Sequence, residues 1–361
     1  LADRIVFTGG GTAGHLIPNL PLIERFVAKD WSVDYIGSGQ DLERRLIAPT
    51  GASYHAIRTG KLRRYLSVKN LRDAVWVVVG LVQSWLLILR IKPAVIFSKG
   101  GYVAFPVVVA GWLHRIPVIA HESDLSFGLA NRLSYPFVQK VCTSFPDTQK
   151  RSDKMVYTGM PVRSEILCGD ASRGLAFCGF TQELPLLLVI GGSQGAQLIN
   201  QAVRQALPEL QKSFQVVHVC GAGNLSAEHD GNRGYRQFEF IGEQLPDVFA
   251  AATLAVSRAG SNSLNELLCL RLPHLLIPLF AGSRGDQLEN ANMAKRMGWS
   301  KVLAEQDLTP QTLLKAVFEL ARQSDEYRRK MTSFNAPNAV DVIEKLLLEY
   351  AQKSPDTGGR E

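Results

Sequence analysis

The sequence predicts an α/β protein built from two Rossmann-like domains, each a parallel sheet with crossover helices. Three observations carry that prediction. Short β-type runs alternate with helix-length segments from end to end. A glycine-rich turn closes an apolar run at FTGGGTAGH (7–15), and a second does so at VIGGSQGAQ (189–197). The 361 residues, 46% hydrophobic and 20% charged, are enough for two cored domains. Glycines let the backbone approach an anion, and the helix N-terminus that follows offers N–H groups and a positive dipole end to phosphate oxygens. One such turn is common; one in each half points to paired nucleotide-type domains.

The strand runs of the first half are 4–8, 32–37, 53–58, 94–98, 117–120 and 138–143. Those of the second half are 185–190, 214–219, 237–241, 253–257, 274–278 and 300–303. In such sheets ligands bind at the C-terminal ends of the strands, where both glycine turns lie. Gly159 and Pro161 in TGMPVRSEIL (158–167), with the pattern-poor CGDASRGLAFCGF (168–180), place a linker near 160–180 and divide the chain into domains over 1–162 and 163–335. Pro337 interrupts the helical pattern at 335–338. The pattern resumes over 340–350 as a terminal helix, within 336–353, expected to pack back on the N-terminal domain. Residues 354–361 read as a disordered tail.

The first turn admits a dehydrogenase. Gly9, Gly11 and Gly14 fit the dinucleotide fingerprint, and Asp34, twenty residues beyond Gly14, stands where a ribose-binding acid is expected. Against that reading, His15 and Pro18 occupy the first turn of the helix, and the second glycine turn is left unexplained.

Composition narrows the function classes. The five cysteines, Cys142, Cys168, Cys178, Cys220 and Cys269, form no C-x-x-C pair and no even framework, which favours a reduced cytosolic protein. The N-terminus enters a charged strand with Asp3 and Arg4 and lacks the apolar region of a signal peptide. The net charge of +7 is unevenly spread: residues 1–160 hold 20 Lys and Arg against 11 Asp and Glu, and residues 161–361 hold 20 against 22.

The excess clusters at Arg58, Lys61, Arg63, Arg64, Lys69 and Arg72, just before the apolar stretch 74–89. That stretch, broken by Gly80, Gln83 and Ser84, is short of the roughly 20 apolar residues of a spanning helix. A basic cluster leading into an apolar helix suits docking on an anionic membrane surface, with Leu71, Val75, Val78, Val82 and Trp85 on one face. Because almost every other position there is apolar too, a core helix fits the same pattern. No aromatics alternate with the basic residues as a nucleic-acid stacking surface requires, so nucleic acid is not expected as a partner.

Two further strand ends carry polar chemistry. In SRAGSNSLNE (257–266) a glycine precedes a helix opened by Ser261, Asn262 and Ser263. Ser261 can cap that helix while its N–H groups face a phosphate, and Glu266 can take both hydroxyls of a ribose. A capped helix with a solvent-facing Glu is the plain alternative. In PLFAGSRGDQLENAN (278–292), Asp286 and Gln287 can bond sugar hydroxyls. With the second glycine turn these make three strand-end sites in one half, suited to pyrophosphate, ribose and hexose. No Asp-x-Asp pair and no His-Glu-x-x-His motif occurs, so no metal or other cofactor is expected, and helix ends must hold the pyrophosphate.

At this point the chain resembles the bacterial MurG family of glycosyltransferases. The resemblance rests on GGGTAGH (9–15), FSKGGY (97–102), HES (121–123), PVR (161–163), GGSQGA (191–196), SRAGSNSLNE (257–266) and DQLENA (286–291), in family order over nearly the whole chain. It implies a GT-B type architecture, two domains facing across a cleft, with the donor held mainly by the C-terminal domain and the acceptor by the N-terminal one. It also implies inverting transfer of N-acetylglucosamine (GlcNAc) from UDP-GlcNAc to the muramyl sugar of lipid I, the undecaprenyl-linked precursor of peptidoglycan, at the cytoplasmic face of the inner membrane. By the same resemblance, Ser193, Ser261, Asn262 and Ser263 contact the donor phosphates. Leu264 and Asn265 belong to that donor-binding run, Glu266 takes the ribose, the Ile241 backbone meets uracil, and Asp286 and Gln287 meet the GlcNAc hydroxyls. Arg163 matches a hinge donor contact, and Thr12, Ala13, Gly14 and His15 match a turn near the sugar and acceptor.

An inverting transfer needs a base for the acceptor hydroxyl and fixed dipoles for the leaving pyrophosphate. His15 is one candidate base, although a histidine that holds the turn is an equal reading. Asp124 is the other, standing after HES where many members carry an amide; it can act as the base or hold a sugar hydroxyl. Three alternatives accompany this reading: a related transferase with another lipid or natural-product acceptor, an NAD-dependent oxidoreductase, and a membrane-bound nucleotide-sugar sensor.

Overall fold

The computed structural model describes residues 3–10, 13–60, 68–149, 152–192, 195–280 and 285–353. The chain divides into two compact units, Leu1–Val162 with Ala336–Glu361, and Arg163–Asn335.

The first unit is built on seven strands: β1 (Arg4–Thr8), β2 (Ser32–Gly37), β3 (Ser53–Ala56), β4 (Val95–Ser98), β5 (Val118–Glu122), β6 (Lys140–Thr143) and β7 (Met155–Tyr157). They run parallel in the order β3-β2-β1-β4-β5-β6-β7. Both faces of the central strands are covered, so β1 and β4 are apolar runs whose residues alternate between two cores. Ile5 and Phe7 pack with Leu22, Phe26, Ile343 and Leu347, whereas Val6 packs with Ile88, Val107 and Val108.

The terminal helix Ala339–Gln352 supplies much of the first of these cores, and its polar edge pairs Asp341 with Arg25 at 3.0 Å and Glu344 with Lys29. The strand order reverses between β1 and β4, the switch point where such sheets open a crevice for a ligand. Register brings that edge level. Thr8 pairs with Ser98, Ser98 with Ala120, and His121 with Cys142.

The second unit repeats the plan with β8 (Leu186–Ile190), β9 (Gln215–Val219), β10 (Tyr235–Phe238), β11 (Ala252–Ser257), β12 (His274–Leu276) and β13 (Lys301–Val302), in the order β10-β9-β8-β11-β12-β13. Its switch point lies between β8 and β11, the strands that end in the second glycine turn and in SRAGS. The helices Gln197–Leu210 and Pro310–Arg322 close one face through Ile199, Val203, Leu313 and Val317.

Three local expectations change. β7 is an additional edge strand beyond the run 138–143. The pattern-poor 168–180 forms a helix, Ala171–Cys178, because the Asp170 side chain accepts from the Arg173 N–H at 2.8 Å and Gly179 ends it with φ 66°. That helix lies so close to Leu245–Ala251 that a side chain at Gly174 would meet the Asp247 carbonyl oxygen at 2.1 Å. After the first glycine turn the helix Ala13–Leu16 is short and gives way to a 3₁₀ turn at Ile17–Asn19. Pro18 and Pro21 each remove a backbone donor there.

Candidate active site

In the first unit the turn after β1 and the loop after β4 are packed backbone to backbone. Gly100 and Gly101 have φ 83° and 84°, and a Cβ on Gly101 would lie 2.3 Å from the Gly10 carbonyl oxygen and 3.2 Å from His15 Cδ2. The left-handed geometry and the close approach both demand glycine here. His15 is therefore a half-buried ring set against the Gly100–Gly101 loop, with its carbonyl accepting from Asn19 Nδ2 at 3.3 Å. Gly14 beside it is exposed. The Ala13 side chain and Thr12 lie outside the described residues.

Asp124 is half-buried just past the end of β5, and its N–H donates to Glu122 Oε1 at 3.1 Å. Glu122 is in turn saturated by neutral donors, since its Oε2 accepts from the Gly128 N–H at 2.9 Å and from Asn131 Nδ2 at 3.0 Å. Beneath this turn lies a group drawn from FSKGGY and HES, to which the motifs alone gave no role. Lys99, 1% exposed, donates from Nζ to His121 Nδ1 at 2.7 Å, to Ser123 Oγ and to Met160 Sδ at 3.6 Å. His121 passes the chain on from Nε2 to the Gly159 carbonyl at 3.0 Å. Burial pushes the Lys99 amine down to about 7 against the pull of Glu122, Asp124 and Cys142; burial and Lys99 hold His121 well below its usual range. The one available signal was a lysine wedged between an apolar strand and two glycines.

Asp34 does not sit where a dinucleotide ribose would need it. It lies inside β2, three residues before the strand end, and its carboxylate is engaged by His55 Nε2 at 2.7 Å and Arg4 Nε at 3.9 Å. The dehydrogenase expectation is corrected on that ground.

In the second unit, the helix Ser261–Cys269 starts at the end of β11. Its N-cap is Gly260, in extended conformation and without a side-chain cap bond, so the expectation that Ser261 caps the helix is corrected: Ser261 is already the first helical residue. A Cβ on Gly260 would meet nothing within 4 Å, and Gly192 after β8 is equally open, so both turns present bare backbone. Asn262 and Ser263 are half-buried beside it. Leu264 is fully buried and Asn265 nearly so, with Asn265 Nδ2 donating to the Ser261 carbonyl at 2.8 Å, so neither side chain faces solvent. Ser193 lies outside the described residues.

Glu266 is half-buried, and its carboxyl is pushed up to about 7 by burial, with Arg163 pulling it down. Arg163 keeps Nε buried without a hydrogen-bond partner. Ile241 is buried just past β10. The helix Asp286–Arg296 opens at Gly285 (φ 86°). Its Asp286 carboxylate accepts from the Gln287 N–H at 3.0 Å, and Gln287 Oε1 accepts from the Leu279 N–H at 3.0 Å. Gln287 thus also ties the loop after β12 to its helix. A buried ion pair, Arg258 Nη2 to Glu305 Oε1 at 2.6 Å, completes the frame. Among the described residues, no group of three or more His, Cys, Asp or Glu side chains is placed to hold a metal ion.

The apolar stretch forms one helix, Val68–Ile91. Ile88 and Ile91 face the core, while Val75, Val78, Val82 and Trp85 are exposed, Val78 at 59% and Val82 at 54%. The core-helix alternative is thereby overturned for that face. Trp112, Leu113 and Leu133 add exposed apolar surface on neighbouring elements, with Arg90, Arg115 and Arg132 exposed beside them. Arg63 and Arg64 lie outside the described residues, as do the side chains of Lys69, Leu71 and Arg72. Among the described residues no helix is long and apolar enough to cross a membrane.

With this geometry in hand, comparison with known proteins is decisive at the family level. The glycosyltransferase family 28 N-terminal domain matches residues 5–143, and its C-terminal domain matches residues 186–346. A Legionella pneumophila (strain Paris) protein named UDP-N-acetylglucosamine–N-acetylmuramyl-(pentapeptide) pyrophosphoryl-undecaprenol N-acetylglucosamine transferase is 49% identical over 97% of this chain and 98% of its own length. A Bacillus cereus protein, named as the second transferase of that kind, is 46% identical over 94% and 97%. Among solved structures, Acinetobacter baumannii MurG superposes with a TM-score of 0.77 at 23% identity, covering 96% of this chain and 99% of that one; the fold is shared. The chain belongs to glycosyltransferase family 28 and, within it, to the MurG family of N-acetylglucosamine transferases.

Proposed function

We propose that this chain transfers GlcNAc from UDP-GlcNAc to the 4-hydroxyl of the muramyl sugar of undecaprenyl-diphosphate-linked MurNAc-pentapeptide, releasing UDP and converting lipid I to lipid II. The observation that carries the donor half is the switch point of the second sheet. There a helix start without a side-chain cap follows a bare glycine, with Glu266 about a turn and a half further in and the Arg163 guanidinium acting on its carboxylate. Backbone N–H groups at the helix start supply the dipole that a leaving pyrophosphate needs without a metal. Glu266 accepts from the ribose hydroxyls, Ile241 offers its backbone to uracil, and Asp286 with Gln287 contact the hexose.

On the first unit, Asp124 takes the proton of the acceptor hydroxyl as it attacks the anomeric carbon, and the carbon–oxygen bond to UDP breaks on the opposite face. His15, set against Gly101, holds the turn that receives the acceptor. Attack from that face inverts the α-linked donor sugar. Proton NMR of the product tests this: a large coupling at the new anomeric proton marks the β-linkage the reading requires, and a small one contradicts it.

A lipid-linked acceptor calls for work at a membrane. The exposed valines and tryptophans, with Arg90, Arg115 and Arg132 also exposed, support peripheral docking on the anionic cytoplasmic face of the plasma membrane, where apolar burial and cation attraction add.

A further inference from the structure

Lys99 stands apart from the groups that the reaction uses directly. It follows β4 at the edge where register aligns Thr8, Ser98 and Ala120, and its N–H donates to the Thr8 carbonyl at 2.8 Å. The three donors of its ammonium are spent on neutral acceptors: an imidazole nitrogen, a hydroxyl and a thioether. Among the described residues no carboxylate comes within 4.0 Å of Nζ. A cation buried without an ion partner is costly, and a lysine that meets this cost at the mouth of a strand edge needs a reason beyond packing.

The groups that face it narrow the reason. From β5 and the turn after it come His121, Glu122 and Asp124; from β6 comes Cys142, whose thiol burial pushes up to about 12; in the turn after β1, Gly9 lies against the lysine's stem, where an added Cβ would be 3.0 Å from Lys99 Cβ. Glu122, the stronger of the two carboxylates acting on the lysine, is held by three neutral donors, and His121 presents its lone pair to the lysine. Asp124, the other carboxylate, stands half-buried directly after the serine that Lys99 grips.

We infer that Lys99 is a positioning residue of the transfer: its ammonium, clamped between His121 and Ser123, fixes the Ser123–Asp124 turn and keeps Asp124 a carboxylate ready to take the acceptor proton. Being almost wholly buried, Lys99 acts through Asp124 and does not touch substrate. The inference rests on Asp124 acting on the acceptor hydroxyl.

The test is the pH profile of turnover, at saturating UDP-GlcNAc and a short-chain lipid I analogue, for the full chain and for Lys99→Met, Lys99→Gln and Asp124→Asn. Removing a nearby cation raises a carboxylate's pKa, so the acid limb moves to higher pH by about one unit in both Lys99 variants. Their deficit is largest at acid pH and narrows as pH rises, and UDP affinity is unchanged. The two replacements differ in polarity, so a folding defect in one leaves the other to report. An acid limb at the wild-type pH in both Lys99 variants, with Asp124→Asn inactive, overturns the inference. Loss of UDP binding in both also overturns it, by making the lysine a general structural element. Full turnover by Asp124→Asn removes instead the reading on which it rests.

Discussion

Arg258 and Glu305 meet at 2.6 Å in the second unit, and that pair joins the turn after β11 to the loop after β12. Arg258 follows β11 immediately before the Ala259–Gly260 turn, and its Nη1 also donates to the Ile277 carbonyl at 3.2 Å. Glu305 Oε2 accepts from the Phe280 N–H at 3.0 Å, in the loop that leads to Asp286 and Gln287. The turn after β11 and the loop after β12, to which the proposed function gives the phosphates and the hexose, are thus joined by one largely buried contact. Glu305→Ala leaves the guanidinium uncompensated, which costs about 3 kcal/mol when such a pair is broken. UDP-GlcNAc affinity is expected to fall together with the unfolding midpoint, read by titration calorimetry and a thermal melt. Unchanged affinity would show that the pair serves stability alone.

With Glu266 on the donor ribose, as proposed, donor binding depends on pH. Its carboxyl titrates at about 7 because burial disfavours the charge. The ribose hydroxyls are donors and prefer the ionised acceptor, so UDP binding strengthens as pH rises through that value and weakens below it. If only the carboxylate binds, affinity rises up to about tenfold from pH 6 to pH 8. Glu266→Gln should bind more weakly and with a flat profile over the same range; a profile that keeps its slope would assign it to another group.

The exposed face of the helix Val68–Ile91 makes a separable prediction. Val78→Ser with Val82→Ser removes apolar surface at two positions that touch no core cluster. Recovery on vesicles containing anionic lipid should drop several-fold, while UDP affinity and the unfolding midpoint stay at wild type. Equal recovery on vesicles would detach that face from lipid binding.

Lys99 predicts a pH-dependent stability difference with a definite sign. Its amine titrates near 10.5 when unfolded and at about 7 in the fold. Between those values the unfolded chain binds the extra proton, so this residue's contribution makes the wild type more stable as pH rises from 7 towards 10. Lys99→Met lacks that gain. The midpoint of the wild type relative to the variant should therefore climb over that window, as followed by thermal melts at matched pH. A difference that is flat with pH would place the lysine outside the low-dielectric site.

The strands were legible because those buried on both faces read as unbroken apolar runs between glycine or polar punctuation, as in Ile5–Phe7 and Leu186–Ile190. β7 was not: it has three residues, lies at the sheet edge and is preceded by Lys154. The places of the two glycine turns at the ends of β1 and β8 were legible from glycine spacing, whereas the cap at Gly260 was not, since a serine one residue later carries the stronger preference. The Lys99–His121–Ser123 cluster and the Arg258–Glu305 pair depend on register between strands and loops far apart in the chain, which no local pattern encodes. Periodicity grouped Val75, Val78, Val82 and Trp85 on one face of 68–91, and that face is the exposed one; choosing solvent over core for it was not legible, because the stretch is apolar nearly all round.

The most direct test of the central claim is UDP release from UDP-GlcNAc, measured with and without a short-chain lipid I analogue. The account predicts release that depends on the acceptor and yields one disaccharide-lipid product per UDP. Tight UDP-GlcNAc binding with no acceptor-dependent release would contradict it, leaving a nucleotide-sugar pocket whose acceptor is something other than lipid I.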